Sequence, residues 1–427
     1  MIFYFFYFLI SPLLFLFIHI IKFFNKKIKD HLDNETDSIK NVIISLSQID
    51  RTKIKILIFH AASSGEYEQL KPILKRINRK KYFIIQSFTS PTIYNKESKS
   101  NLFDVCCYHP YDIWWKSYFF LKDIKPDIYC ITRHDVWPTH LFIANKLDIK
   151  TMYINANIHE DSIWLNFLMK KISKFIFNQF FLCLVPSKRI YKNLSQIVHP
   201  NKIMITGDSR FDQILDRHSE NLSKKYFSSE YFESFNIIFG SYDKYDEGYI
   251  FSALDYIYSN KDQSLHNFNH RIILVPHEVD KKTLNRTKNK LNSLGISYSL
   301  YSNSKNDKIN SRVMIVDTVG ILADIYKYCK IAYVGSGFGR GVHSVIEPGV
   351  HNCAVGFGPN IKLLDEARDI YSKNAGVMIN NKMELINFLK LYKEKKTLNK
   401  LCNNIKIYIQ NKKNASTKII DIIEKYV

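Results

Sequence analysis

The stretch Tyr333-Val-Gly-Ser-Gly-Phe-Gly-Arg-Gly-Val-His-Ser-Val-Ile-Glu-Pro348 decides the fold class. The apolar run Ile331 to Val334 reads as a strand. It opens into four glycines at alternate positions, Gly335, Gly337, Gly339 and Gly341. Helix-like spacing then resumes and carries Glu347 about one turn further on. Glycines at this density let backbone N–H groups approach a phosphate, and a helix N-terminus behind them adds partial positive charge. A carboxylate just past such a site stands where a ribose diol would lie. Strand, glycine loop and helix together predict a nucleotide-binding α/β domain. A glycine-rich surface turn ahead of a core helix is the other reading, and the run alone names no reaction.

Outward from that loop, the same unit recurs. Ile54 to Phe59 is a continuous apolar run, as a buried parallel strand should be. It leads through His60-Ala-Ala-Ser-Ser-Gly-Glu66 into a helical segment, Tyr67 to Arg79, whose Pro72 is tolerated best near a helix start and so favours a late beginning. Further strands are predicted at 82–87, 127–131, 150–154, 181–185 and 202–205. A second set is predicted at 236–239, 270–275, 312–316, 331–334 and 353–356, with polar loops at 258–269 and 301–311. The pattern restarts near 208–225, after Gly207-Asp-Ser-Arg-Phe-Asp212. Two doubly wound domains follow, with binding loops at their strand C-termini facing a cleft. The expected division is 1–29, 30–210 and 211–427.

At 427 residues the chain has room for two full cores. Its net charge is +21, from 61 basic and 40 acidic residues. The lysines are spread evenly, with no arginine-rich arm, zinc spacing or aromatic RNA-binding signature, so no nucleic-acid partner is expected. A diffuse positive field suits an anionic membrane surface or a multiply anionic substrate. Residues 1–21 carry no Lys, Arg, Asp or Glu, a length able to cross a bilayer core of roughly 30 Å. Lys22, Lys26, Lys27 and Lys29 follow, which places the rest of the chain in the cytoplasm by the positive-inside rule. There is no basic region ahead of the apolar run and no small-residue cleavage site, against a signal peptide. Pro12 leaves a re-entrant or interfacial helix open beside a spanning one. The seven cysteines are odd in number and lack CxxC spacing, as reduced cytosolic thiols do.

Five short constellations follow predicted strands. Glu66 in Ser64-Gly65-Glu66 is either a base facing a cleft or an ordinary first-turn glutamate satisfying the helix dipole. Asp135 in Arg133-His-Asp-Val-Trp-Pro138 has Arg133 as a candidate partner, or belongs to a solvated loop around a packed Trp137. Arg210 is either a residue reaching across the expected interdomain cleft or a surface hinge arginine. Val275-Pro-His-Glu278 and Asp317-Thr-Val-Gly-Ile321 complete the set.

Taken in this order, the motifs make the chain resemble the 3-deoxy-D-manno-octulosonic acid (Kdo) transferases of lipopolysaccharide synthesis, from the N-terminal segment to about residue 390. The Gly-Phe-Gly-Arg-Gly loop, Val-Pro-His-Glu strand end and Gly-Asp-Ser-Arg-Phe-Asp hinge are those of one branch of that family. The resemblance implies an inverting, membrane-anchored GT-B enzyme that moves Kdo from CMP-Kdo to a lipid A precursor, lipid IVA, at the cell inner membrane. Its catalytic domains would be cytoplasmic, and it would need no cofactor and no metal. It further implies Glu66 as proton acceptor, with Ser64 and Gly65 beside it on the acceptor side. Asp135 and Arg210 would steady charge in the transition state. Pro276, His277, Val319, Gly320, Ile321, Gly337, Gly339, Ser344, Val345, Ile346 and Glu347 would hold CMP, with Asn360 and Glu366 closing the donor pocket.

Four positions depart from the family's commoner pattern. Its Glu-Thr-Glu reads Arg133-His-Asp135 here, its Pro-Arg-His-Pro keeps only Pro276-His277, its hinge lysine is Arg210, and its asparagine is Ser344. Two other readings stand beside this one: a GT-B transferase using a UDP-sugar and a polyprenyl carrier, and a tethered nucleotide-sugar binding protein without catalysis.

Overall fold

A computed structural model of the chain describes residues 2–258, 270–303, 311–362 and 364–427. The chain forms two compact units, Met1–Gln213 with Lys413–Val427, and Ile214–Lys412.

The first unit is built on seven parallel strands: β1 (Lys55–Ala61), β2 (Tyr82–Phe88), β3 (Val105–Tyr108), β4 (Ile128–Thr132), β5 (Lys150–Ile154), β6 (Leu182–Val185) and β7 (Ile203–Ile205). Their order across the sheet is β3-β2-β1-β4-β5-β6-β7. Strand β1 explains why its sequence is apolar without a break. Ile56 and Ile58 enter the core on one face, while Leu57, Phe59 and Ala61 enter the core on the other. A strand with helices on both faces has no wet side for polar residues to occupy.

The second unit repeats the plan with β8 (Phe235–Tyr242), β9 (His270–Pro276), β10 (Tyr298–Leu300), β11 (Val313–Ile315), β12 (Ile331–Val334), β13 (Ala354–Phe357) and β14 (Val377–Met378). Their order is β10-β11-β9-β8-β12-β13-β14, again all parallel. Ile237 and Phe239 face one core and Ile238 the other. In both sheets the order reverses beside the first strand, the arrangement that leaves crevices at strand C-termini.

Several expectations need correction. Strands β3, β10 and β14 escape a search for apolar runs because they are four, three and two residues long. The segment ahead of β1, to which the sequence reading assigns no element, is largely a helix, Lys26–Leu46, whose buried face carries His31, Glu35, Ser38, Val42 and Leu46. Three of those five are polar, held by His31 Nδ1 to Thr89 O at 2.8 Å, Lys116 Nζ to Glu35 at 2.7 Å and Tyr108 N–H to Ser38 Oγ at 3.0 Å. The expected loop at 301–311 begins as a 3-10 turn, Tyr301–Asn303; residues 304–310 and most of 258–269 lie outside the described residues. The helix carrying Pro72 starts early, at Ser64, and runs unbroken to Arg76 with Pro72 buried inside it. A capping box at Ser63 fixes that start, and burial of the helix face outweighs the lost N–H.

The ends of the chain also differ from the expected division. Residues 1–29 belong to the first unit. The helix Ile2–Ile21 packs Tyr4 against Phe142 and Phe175, places Phe15 against Trp115, and buries Ser11. Its other side leaves Leu9, Leu13, Leu16 and Phe17 exposed. Among the described residues no single helix is long and apolar enough to cross a membrane, though the pair 6–21 and 26–46, bent by 118°, is so by length and composition when taken together. At the far end, residues 413–427 return to the first unit rather than closing the second. The Asp212 carboxylate accepts the N–H groups of Asn414 and Ser416 at 2.6 and 2.7 Å, capping the helix Ala415–Tyr426. Ile419, Ile420 and Ile423 then join the core beneath Tyr67 and Leu70.

Candidate active site

In the first unit, Glu66, Asp135 and Arg210 stand in the segments that follow β1, β4 and β7, all at the carboxyl edge of the sheet. Glu66 is the third residue of the helix Ser64–Arg76 and is 6% exposed. Its Oε2 accepts the N–H groups of Ala62 at 2.8 Å and Ser63 at 3.1 Å. The helix-start role is therefore real, and it occupies one carboxylate oxygen; Oε1 has no hydrogen-bond partner among the described residues. Burial raises the Glu66 carboxyl above the usual range, and the nearby Asp135 raises it further. His60 and the two backbone amides pull the other way without reversing the shift. A raised carboxyl pKa is the property a general base acting near neutral pH requires. Ser64 and Gly65 are exposed, with open space where a Gly65 Cβ would stand.

Asp135 is not paired with Arg133. Arg133 sits at φ +62° and directs Nε to His134 at 3.0 Å. The partner of Asp135 is His60, whose Nε2 lies 2.6 Å from Oδ2. Burial alone would raise the Asp135 carboxyl, but the His60 hydrogen bond and charge leave it below the ordinary value. Arg210 is in the first turn of the helix Ser209–Asn221. Ser209 pins that turn by donating to Gln69 O at 2.6 Å while Asn155 holds the Ser209 hydroxyl at 2.7 Å. Gln69 is on the same helix as Glu66, so the backbone of Arg210 is fixed to the element bearing the carboxylate.

In the second unit, the residues expected to hold a nucleotide all lie in the segments after β9, β11, β12 and β13, or at their last residue. Pro276 ends β9, and His277 bonds Ser241 Oγ through Nδ1 at 2.9 Å. Val319 is 75% exposed, Gly320 takes φ +87°, and Ile321 is half-buried. The glycine loop turns on itself more tightly than its sequence indicates. A Cβ on Gly337 would lie 2.5 Å from Gly358 N, so two backbones touch there. Asn360 clasps the loop: its N–H donates to Gly337 O at 2.9 Å, its side-chain amide to Gly339 O at 2.7 Å, and its carbonyl accepts from Val342. The N–H groups of Gly337, Phe338 and Arg340 have no acceptor among the described residues. They remain available to an anion. Ser344, Val345, Ile346 and Glu347 lead into the short helix Ile346–Val350, with Glu347 half-buried in its first turn. Glu366 is in the first turn of the helix Asp365–Ser372.

Three features escape the sequence. A cavity of about 230 Å³ opens at the ends of β8, β9 and β12, bounded by Tyr245, His277, Arg340 and His343. The His277 and His343 rings stack there, 4.4 Å between centroids and 18° apart. Beneath it, the fully buried Asp246 accepts Ser336 N–H at 2.6 Å, Asp243 N–H at 2.9 Å and Tyr333 OH at 2.8 Å, tying the glycine loop to the turn after β8. In the first unit, His60 is the missed group. The signals were modest: His343 sits inside the stretch first quoted, whereas Asp246 and His60 gain meaning only from their three-dimensional partners.

Comparison with known proteins adds a family likeness. Residues 37–213 match the model of 3-deoxy-D-manno-octulosonic-acid transferases (kdotransferases). The chain is 25% identical to the 3-deoxy-D-manno-octulosonic acid transferase of Chlamydia muridarum, covering 71% of this chain and 70% of that one. It is 24% identical to the enzyme of the same name from Rickettsia prowazekii, covering 86% and 79%. Among solved structures, a putative UDP-N-acetylglucosamine 2-epimerase from Listeria monocytogenes superposes with a TM-score of 0.60 at 12% identity, over 88% of this chain and 96% of that one. The epimerase of Neisseria meningitidis gives 0.60 at 14%, over 87% and 100%. At such identities the structures speak for a GT-B-type fold alone. The curated sequences speak for more: this chain is a glycosyltransferase, similar over most of its length to the 3-deoxy-D-manno-octulosonic acid (Kdo) transferases.

Proposed function

We propose that this protein transfers Kdo from CMP-Kdo to a lipid A precursor at the cytoplasmic face of the inner membrane. The observation that carries the reading is Glu66: a nearly buried carboxylate with a raised pKa, one oxygen held by backbone amides and the other without a partner among the described residues. In a single displacement, Glu66 takes the proton of the acceptor hydroxyl as its oxygen attacks the anomeric carbon. The bond from that carbon to the CMP phosphate breaks on the opposite face, and the configuration inverts. Charge gathers on the departing phosphate. The N–H groups of the glycine loop that lack an acceptor among the described residues and the Arg340 guanidinium are suited to meet it, and Arg210 to meet the sugar carboxylate. Glu347 is assigned to the ribose diol.

The helix Ile2–Ile21 supports the membrane assignment. Its inner side is packed on the first unit and its outer side is apolar, as in a helix lying in the interface plane rather than crossing the bilayer. An acylated acceptor is confined to the same surface.

Titration with CMP and with UDP, followed by mass spectrometry of lipid IVA incubated with CMP-Kdo, tests the reading. CMP bound in preference to UDP and a lipid heavier by Kdo are expected. UDP preference with no Kdo-bearing lipid would overturn it in favour of a UDP-sugar transferase.

A further inference from the structure

Building on the reading of Glu66 as the base, we infer that His60 is a positioning residue: it fixes the Asp135 carboxylate and balances the charge that Glu66 feels. His60 is the sixth residue of β1 and fully buried. Its Nε2 donates to Asp135 Oδ2 at 2.6 Å, since a carboxylate can only accept, and its Nδ1 meets Ser87 Oγ at 3.0 Å. Ser87 is its direct partner in the sheet, on β2. The ring is further held by His109, 3.9 Å between centroids. A side chain gripped from one neighbouring strand and two loops has little rotamer freedom, so it fixes whatever it bonds. An ordinary core histidine spends its polar atoms on buried partners. This one spends Nε2 on a carboxylate whose side chain is 23% exposed, at the carboxyl edge where Glu66 stands.

The titratable surroundings of His60 can be named from every packed element. They are Glu66 on the following helix, Asp135 in the loop after β4, His109 after β3, Tyr129 on β4 and His140 on the helix Pro138–Lys146. Burial drives His109 well below its ordinary value and His140 down to about 3, and lifts the Tyr129 phenol well above its own. Near neutral pH these three carry no charge. That leaves Asp135 and His60 as the groups acting on Glu66, and they act in opposite directions, Asp135 raising its pKa and His60 lowering it. Arg133 does not substitute for His60, because its Nε is turned to His134.

The test reads Glu66 directly. Carboxyl-carbon NMR of glutamate-labelled protein, with the Glu66 signal assigned by its loss in E66Q, gives the Glu66 titration without turnover. His60→Gln should move that titration to higher pH by about one unit or more, and Asp135→Asn should move it to lower pH. The acid limb of the pH–rate profile for transfer should shift with it in both variants. A purely structural histidine would lower the rate at every pH and leave the titration where it was, which would overturn the inference. Should H60Q not fold, D135N still decides, because Asp135 is partly exposed: an unmoved Glu66 titration there overturns the inference equally. A wild-type protein that transfers no Kdo would sink the proposed reaction, while the NMR titration would still judge His60.

Discussion

Glu66 and Ser63 hold each other: Glu66 Oε2 accepts the Ser63 N–H at 3.1 Å, and Ser63 Oγ accepts the Glu66 N–H at 3.4 Å. One side chain thus caps a helix and offers a base, and two substitutions separate the roles. Glu66→Gln keeps an oxygen for the amides but cannot take a proton, so transfer should fall by about 10²–10⁴-fold with the melting temperature nearly unchanged. Glu66→Ala should lose as much activity and, in addition, about 0.5–2 kcal/mol of stability. Glutamine at near wild-type rate would leave Glu66 a cap alone.

Asp246 is the corresponding pivot of the second unit. Removing its carboxylate strands the Ser336 and Asp243 amides and the Tyr333 hydroxyl in a buried place. Asp246→Ala should cost about 1–3 kcal/mol and loosen the glycine loop. CMP affinity by calorimetry should drop at least about tenfold, the lower part of that energy range expressed in binding. An unchanged affinity in a folded variant would show that the loop does not need this brace.

The two sheets were legible because β1, β4, β5, β8, β9 and β12 are buried on both faces, and burial on both faces writes an unbroken apolar run. The edges were not. Strand β10 is only partly buried and β14 is a two-residue pair, so neither had to be apolar. The helix Lys26–Leu46 was hidden for the opposite reason: His31, Glu35 and Ser38 face inward and are satisfied by distant partners that no local pattern announces. At the site, residue types in turns after strands pointed to Glu66 and the glycine loop. The pairing of Asp135 with His60, across 75 positions of sequence, depends on strand order and was open only to the fold.

Asp112 gives a pH signature of its own. Burial pushes its carboxyl up to about 6, although it accepts Tyr7 OH at 2.9 Å and the N–H groups of Thr139 and His140 at 3.1 Å each. In the unfolded chain it ionises near an ordinary value of about 3.9. Between those values the folded state binds more protons than the unfolded one, so stability falls as pH rises from about 4 to about 6 and then levels. Asp112→Asn cannot titrate. The melting temperature of the wild type relative to this variant should therefore decline over that window, by the equivalent of a few kcal/mol at most. A difference that stays flat, or rises with pH, would contradict the buried-acid assignment.

The outward stripe of the first helix supplies the last prediction. Leu9 and Leu13 are each 65% exposed and Phe17 is 59% exposed, one turn apart along the helix, while Tyr4 and Ser11 on the inner side are buried. Deleting the whole segment would also break the Tyr4 and Tyr7 contacts to the first unit, confusing detachment with unfolding. Replacing Leu9, Leu13 and Phe17 by serine touches only the outer side. Each apolar side chain withdrawn from a membrane forfeits about 1.5–3 kcal/mol, so the triple variant should leave anionic vesicles by a thousandfold or more in partitioning, on the order of the summed loss. Its melting temperature in detergent-free buffer and its CMP affinity should match the wild type. If the variant still sediments with vesicles at high salt, the membrane is held by another surface and this helix is only a lid on the first unit.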